Sequence, residues 1–241
     1  MTGTRFLLVV ITSPAAIPGE ADYLEGLLEA GLEKLHIRKP ADRQEERAPR
    51  NSGDIRTPEG RLALLERLAP RWHSRLVLHG DRGVVPLAKQ YRVPQVHGHW
   101  HRPWIENGHS SMGLEEGRNP MGREKGLGMQ DGRPPALSAS LHSWEEVHEV
   151  PPRALEYVFL SPLFDSISKP GYLAGEGLLR RPAGVAPCGL IGLGGIDADN
   201  IGEVIQHGWD GAALLGYIWQ HPEKAVERFR KLKEIASRYG K

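Results

Sequence analysis

Short apolar runs alternate with amphipathic segments along the whole chain, and the unit from Gly189 to Trp219 shows the pattern most plainly. Leu190 to Leu193 has the length and composition of a strand buried on both faces. Asp197 or Asp199 then caps a helix running to His207, whose Ile201, Val204 and Ile205 share one face. A second apolar run, Gly211 to Leu215, ends at Gly216. Strand, helix, strand in this order predicts two parallel strands joined by a crossover.

The remainder of the chain repeats the theme. Phe6 to Ile11 predicts a first strand ended by Ser13 and Pro14, followed by a helix from Ala21 to Ala30 with Leu24, Leu27 and Leu28 inward and Gly31 as its stop. Leu35 to Ile37 predicts the second strand. Pro58 opens a helix placing Leu62, Leu65 and Leu68 inward, and Leu76 to Leu78 predicts the third strand. A weak helix from Val84 to Tyr91 precedes a fourth strand beginning at Val96. Leu137 to Ser140 and Tyr157 to Leu160 predict the fifth and sixth strands, with Ser143 capping a helix in the pattern SWEE between them. Pro222 starts a last helix to Tyr239 with Val226, Phe229, Leu232 and Ile235 inward.

Two segments break the pattern. Residues 41 to 57 are charged and poor in apolar positions, which predicts a mobile loop. Residues 102 to 135 are rich in Gly and polar residues and are too long for an ordinary connection, so they predict a lid or a partly disordered segment in place of the fourth core helix. Eight alternating units suit a closed α/β barrel better than an open sheet, and we expect a single (β/α)8 TIM-barrel domain over residues 1 to 241 with long loops after the second and fourth strands.

Charge narrows the partners. With 31 basic against 30 acidic residues and no run of like charge, nothing points to nucleic acid or to a membrane surface. The first apolar run is too short for a membrane span and lacks a signal-peptide cleavage pattern, so a cytosolic (cytoplasmic) protein is expected. The single cysteine, Cys188, excludes an internal disulfide and a Cys-based zinc site. A homo-oligomer is left open.

In such a barrel the C-terminal strand ends line one pocket. They carry His36, Arg38 and Lys39 after the second strand, His79 and Asp81 after the third, and His97, His99 and His101 after the fourth. His142 follows the fifth, and Ser166, Ser168 and Lys169 follow the sixth. Gly194 and Gly195 after the seventh strand, with Leu215 and Gly216 after the eighth, offer backbone N–H groups that an anion can approach without a Cβ in the way. A phosphate anchor facing several cations suits a phosphorylated small-molecule substrate. His142 is a candidate acid/base, Lys169 a candidate ligand contact, and the run His97, His99, His101 either a solvated tract or a metal cluster.

Together, LHIRKP at the second strand, SASLHSWEE at the fifth, YVFLSPLFDSISK at the sixth, GLGGI at the seventh and GWDGAALLG at the eighth resemble the thiamine phosphate synthase and TenI superfamily. The resemblance implies thiamine (vitamin B1) biosynthesis, with the backbone of Gly194, Gly195, Leu215 and Gly216 holding a thiazole phosphate. For the synthase branch it implies that Arg38, Ser166, Ser168 and Lys169 face the pyrophosphate of hydroxymethylpyrimidine diphosphate, with Mg²⁺ as cofactor and Asp81 among its ligands. For the TenI branch it implies a metal-free tautomerase that aromatises a carboxythiazole phosphate, with no cofactor and with His142 at the position of the family's histidine. The chain departs from the synthase pattern where Lys39 and Pro40 replace Glu and Lys, where Gly80 and Asp81 replace Asn and Asp, and where VHGHWHR contains no carboxylate. His36 beside Arg38 also follows the TenI pattern. The resemblance thus ranks thiazole tautomerase first, with His142, Lys169 and His36 in catalysis and Arg38, Lys39, His79, Ser166 and Ser168 in binding. Thiamine phosphate synthase is the alternative, and a non-catalytic phosphate-ligand sensor the remote one.

Overall fold

A computed structural model describes residues 6–15, 17–39, 60–80, 84–99, 136–167, 171, 173–185 and 187–239. Its strands are β1 (Leu7–Ile11), β2 (Lys34–Ile37), β3 (Leu76–His79), β4 (Gln95–His99), β5 (Ala136–Leu141), β6 (Tyr157–Leu160), β7 (Gly189–Leu193) and β8 (Gly211–Leu214). All neighbours pair in parallel, and β1 also pairs with β8, with Leu7 opposite Gly211 and Val10 opposite Leu214. The eight strands therefore close into a barrel in sequence order, the TIM-barrel arrangement.

The closure follows from alternation along each strand. Leu8, Val10, Leu35, Ile37, Leu76, Leu78, Val96, Val158, Leu160, Leu190 and Leu214 share one buried apolar cluster with the helices outside the barrel. Their alternate neighbours Val9, Ile11, Tyr157, Phe159, Ile191 and Ala213 form a second cluster within it. The helices are α1 (Glu20–Glu29), α2 (Arg61–Arg67), α3 (Val84–Gln90), α4 (Trp144–Glu149), α5 (Ile201–Gln206), α6 (Gly216–Trp219) and α7 (Ala225–Tyr239). Ser143 caps α4 by accepting a hydrogen bond from the Glu146 N–H at 3.3 Å, as the SWEE pattern predicts.

Several details differ from the sequence reading. Leu62 is 41 % exposed, and Leu64 takes the inward position together with Leu65 and Leu68. α2 begins at Arg61, and at the α-helical period Leu64, Leu65 and Leu68 share one arc of its surface that leaves Leu62 outside it. The last α-helix begins at Ala225 because Pro222–Lys224 forms a 3₁₀ turn first, and Val226 and Ile235 lie only at the margin of the core. Before α5, Asp197 Oδ1 accepts from the N–H groups of Asp199 at 2.9 Å and Asn200 at 3.2 Å, so Asp197 anchors that turn. Among the described residues, the connection from β6 to β7 contains no helix. The expected loop at 41 to 57 and the long segment at 102 to 135 lie outside the described residues.

Candidate active site

The rim at the C-terminal strand ends gathers side chains from β2 to β6. In the ladder, His79 of β3 stands opposite His97 of β4, and His36 stands opposite Val77. Because Leu35 and Ile37 point out to the helices, His36 points into the barrel. His36 Nδ1 and His79 Nε2 are 2.7 Å apart, and His36 Nε2 lies 2.6 Å from the Tyr157 hydroxyl. His97 has its Nδ1 2.9 Å from Ser138 Oγ and its Nε2 2.8 Å from Ser140 Oγ. Phe159 packs beneath two of the rings, with centroid separations of 4.7 Å to His36 and 4.6 Å to His97.

His36 and His97 are buried and His79 is half-buried at the mouth. Burial is the main force holding the His36 imidazole well below the usual range, with the charges of His97 and Lys34 adding to it. His79 is held down in the same way by burial first, then by His97, His36, Arg38 and Arg61. Both rings are therefore neutral at pH 7 and each carries one lone-pair nitrogen. Burial likewise pushes the Tyr157 phenol up, so it remains a hydroxyl.

Arg38 is exposed at the rim, its backbone fixed by Thr12, whose Oγ1 accepts from the Arg38 N–H at 2.8 Å and donates to the Arg38 carbonyl at 3.0 Å. The guanidinium of Arg61, at the start of α2, lies beside Gly80. Lys39, expected to contact substrate, is instead buried: its Nζ pairs with Glu20 and donates to the Ser13 carbonyl at 2.9 Å. Apolar residues around the first turn of α1 make an unpaired ammonium there too costly, so its charge is spent within the protein.

His142, just past β5, is exposed, and its Nδ1 lies 3.2 Å from the Ser161 carbonyl. A carbonyl only accepts, so Nδ1 carries the proton and Nε2 is the basic nitrogen facing outward. The His142 N–H donates to Glu146 Oε2 at 2.5 Å, which ties it to the first turn of α4. After β6 the chain returns along β7: Leu163 N–H donates to Leu193 O at 2.9 Å, and Phe164 N–H to Gly194 O at 3.1 Å. Gly194 and Gly195 have φ of 104° and 63°, and a Cβ on Gly195 would overlap the Asp165 carbonyl. Glycine is thus required for the β6 loop to lie against the β7 loop. Leu193 stands opposite Ala213, so this turn and the Leu215–Gly216 turn leave neighbouring points of the rim. Gln220 Nε2, just past α6, reaches the Ile167 carbonyl at 3.4 Å, bringing the β8 turn against the β6 loop that also holds Ser166.

Asp81, His101, Ser168 and Lys169 lie outside the described residues, as does the His99 side chain. Among the described residues, the histidines that meet come from three strands, β2, β3 and β4, and His97 is the member of the predicted run that joins them. Tyr157, Ser138, Ser140 and Arg61 were not singled out from sequence. The two serines carried a signal, since SAS at β5 puts both on the inward face.

Comparison with known proteins bears on the fold and the family. Residues 132–218 match the family model described as thiamine monophosphate synthase. The thiamine-phosphate synthase of Bacillus velezensis is 31% identical over 100 residues, covering 39% of this chain and 44% of that protein, so the match spans less than half the length of that relative. Among solved structures, thiamine phosphate pyrophosphorylase from Bacteroides thetaiotaomicron superposes with a TM-score of 0.58 at 26% identity, over 97% of this chain and 98% of that one. The enzyme of the same name from Pyrococcus furiosus gives a TM-score of 0.63 over 98% of both chains at 16% identity, a likeness of fold. Among the described residues no helix is long and apolar enough to cross a membrane. In its motifs, its closed barrel and these relatives, the chain is similar to the thiamine phosphate synthase/TenI superfamily, with the family model matching residues 132–218.

Proposed function

We propose that this barrel is an enzyme of thiamine biosynthesis that binds a thiazole phosphate at the turns after β7 and β8. The Gly194 carbonyl accepts from Phe164 and the Gly195 carbonyl from Asn200 Nδ2 at 2.8 Å. In trans peptides the following N–H groups, those of Gly195 and Ile196, point the opposite way, available to a phosphate beside Leu215 and Gly216.

The named relatives favour the coupling reaction, in which hydroxymethylpyrimidine diphosphate joins the thiazole nitrogen and pyrophosphate leaves. That reverses the order suggested by sequence. The observation that carries it is the whole-length likeness to the Bacteroides thetaiotaomicron protein. Arg38 and Arg61 on the β2–β3 side would hold the departing anion by charge-assisted hydrogen bonds, joined by Ser166, Ser168 and Lys169 from the β6 loop. Mg²⁺ takes hard oxygen ligands. The described groups beside Arg38 and Arg61 are imidazoles and hydroxyls, a set that does not fit Mg²⁺, and Asp81 is outside the described residues.

A second reading is favoured by His142. Its proton is fixed on Nδ1 by Ser161, leaving Nε2 to take a proton from a carboxythiazole phosphate and return it elsewhere on the ring. Turnover of two mixtures by the purified protein, with and without Mg²⁺, tests both: thiazole phosphate with the pyrimidine diphosphate, and the non-aromatic carboxythiazole phosphate alone. Thiamine phosphate in the first supports coupling, and aromatisation in the second supports proton transfer. Inactivity in both, with tight binding of the phosphates, would leave only a sensor.

A further inference from the structure

We propose that His36, His79 and His97 form a binding site for a transition-metal ion of the zinc or cobalt type inside the barrel mouth. One ring nitrogen from each lies within 4.8 Å of the other two, and the three come from adjacent strands β2, β3 and β4. Tetrahedral zinc with Zn–N bonds near 2.0–2.1 Å sets its nitrogen ligands about 3.3 Å apart. His36 Nδ1 and His79 Nε2, at 2.7 Å, share the place where such an ion would sit, and opening that pair slightly admits it. His79 is half-buried at the mouth, whereas His36 and His97 are buried and each held by hydrogen bonds to hydroxyl groups.

The surroundings match what a metal site needs beyond its ligands. A coordinating histidine is normally aimed by a hydrogen bond at its other nitrogen. Here the Tyr157 oxygen can accept from His36 Nε2–H, which leaves Nδ1 as the lone-pair nitrogen. His97 is held between two serine hydroxyls and gives up one of them on binding, keeping the other. Phe159 and the buried strand residues below shield the site, and half-buried His79 marks its side toward the barrel mouth, from which a fourth, exchangeable ligand would come. Three imidazoles with one open position suit zinc, cobalt, nickel or copper, and they discriminate against Mg²⁺. No carboxylate among the described residues joins the set. The site is independent of which reaction the barrel performs.

The test uses the full chain, stripped with chelator and titrated with Co²⁺, whose visible absorption reports a tetrahedral nitrogen environment. One equivalent bound with tetrahedral bands, displaced by one equivalent of Zn²⁺, is the expected result. His97→Ala and His36→Ala should each weaken Co²⁺ binding by more than the ~10–100-fold that loss of an outer partner costs, while Tyr157→Phe should stay within that range. His79→Asn, at the half-buried position, serves where the buried variants fail to fold, and circular dichroism checks each. Absence of stoichiometric binding to the stripped chain would overturn the site. So would binding that survives undiminished in folded His79→Asn, since it would place the ion on other histidines.

Discussion

Lys39 and Glu20 meet in an ion pair sealed from solvent, their side chains 2% and 0% exposed, at the point where β2 passes the first turn of α1. Removing one partner of such a pair strands the other. Lys39→Met should therefore cost about 3–5 kcal/mol in urea unfolding, and the double variant Lys39→Met with Glu20→Leu should recover most of it. A direct substrate role for Lys39 would instead show as lost ligand affinity with unchanged stability.

His142→Ala removes a base and little else, because the side chain is exposed and, among the described residues, bonds through Nδ1 to Ser161. If the barrel aromatises the thiazole, turnover should fall by about 10²–10⁴. Affinity for a thiazole phosphate should stay nearly constant, since the turns proposed to hold the phosphate follow β7 and β8. Steady-state kinetics beside calorimetric binding separates the two, and parallel losses would contradict the division.

The two glycine turns should respond differently. Gly195→Ala forces a side chain into the Asp165 carbonyl at a φ of 63°, and should lower stability by ~2 kcal/mol or more along with ligand binding. Gly216→Val, at the start of α6, should weaken binding of phosphorylated ligands while thermal unfolding moves little. Unchanged affinity in Gly216→Val would remove this turn from the phosphate site.

Cys188 lies partly buried before β7, and burial, with Asp210 nearby, pushes its thiol up to about 12. The thiolate is the reactive form, so at pH 8 the folded protein should react with iodoacetamide ~10³-fold more slowly than an ordinary cysteine. Unfolding in urea should restore ordinary reactivity, measurable by mass spectrometry over time.

Much of this was legible in the chain. The Tyr157–Leu160 strand was placed without error, and most other boundaries fall within two residues, because short apolar runs bounded by Gly, Pro and Ser leave little choice of period. His142 at the end of β5 and the paired glycine turns were visible for the same reason. The histidine cluster was not. Adjacency in sequence suggested His97 with His99 and His101, but strand register decides which rings meet, and register between β2, β3 and β4 is set by packing across the barrel. Lys39 was misjudged on similar grounds: nothing in LHIRKP announces that Glu20 will lie beneath it. Arg61 was hidden because it reaches the rim from a helix, not from a strand end.

The barrel interior is divided: Val9, Ile11, Phe159, Ile191 and Ala213 fill the side lined by β1 and β6 to β8, while Lys34, His36, Gln95, His97 and Ser138 occupy the side lined by β2 to β5. The larger apolar shell lies between strands and helices. On the proposed function, anchorage at the turns after β7 and β8 and reactivity over β2 to β5 would have separate addresses in this chain. New chemistry could then be written into β2 to β5 by exchanging inward side chains, while the proposed phosphate turns and the outer shell stay as they are. A lineage built on such a plan would keep its grip on one end of a substrate and change what it does to the other.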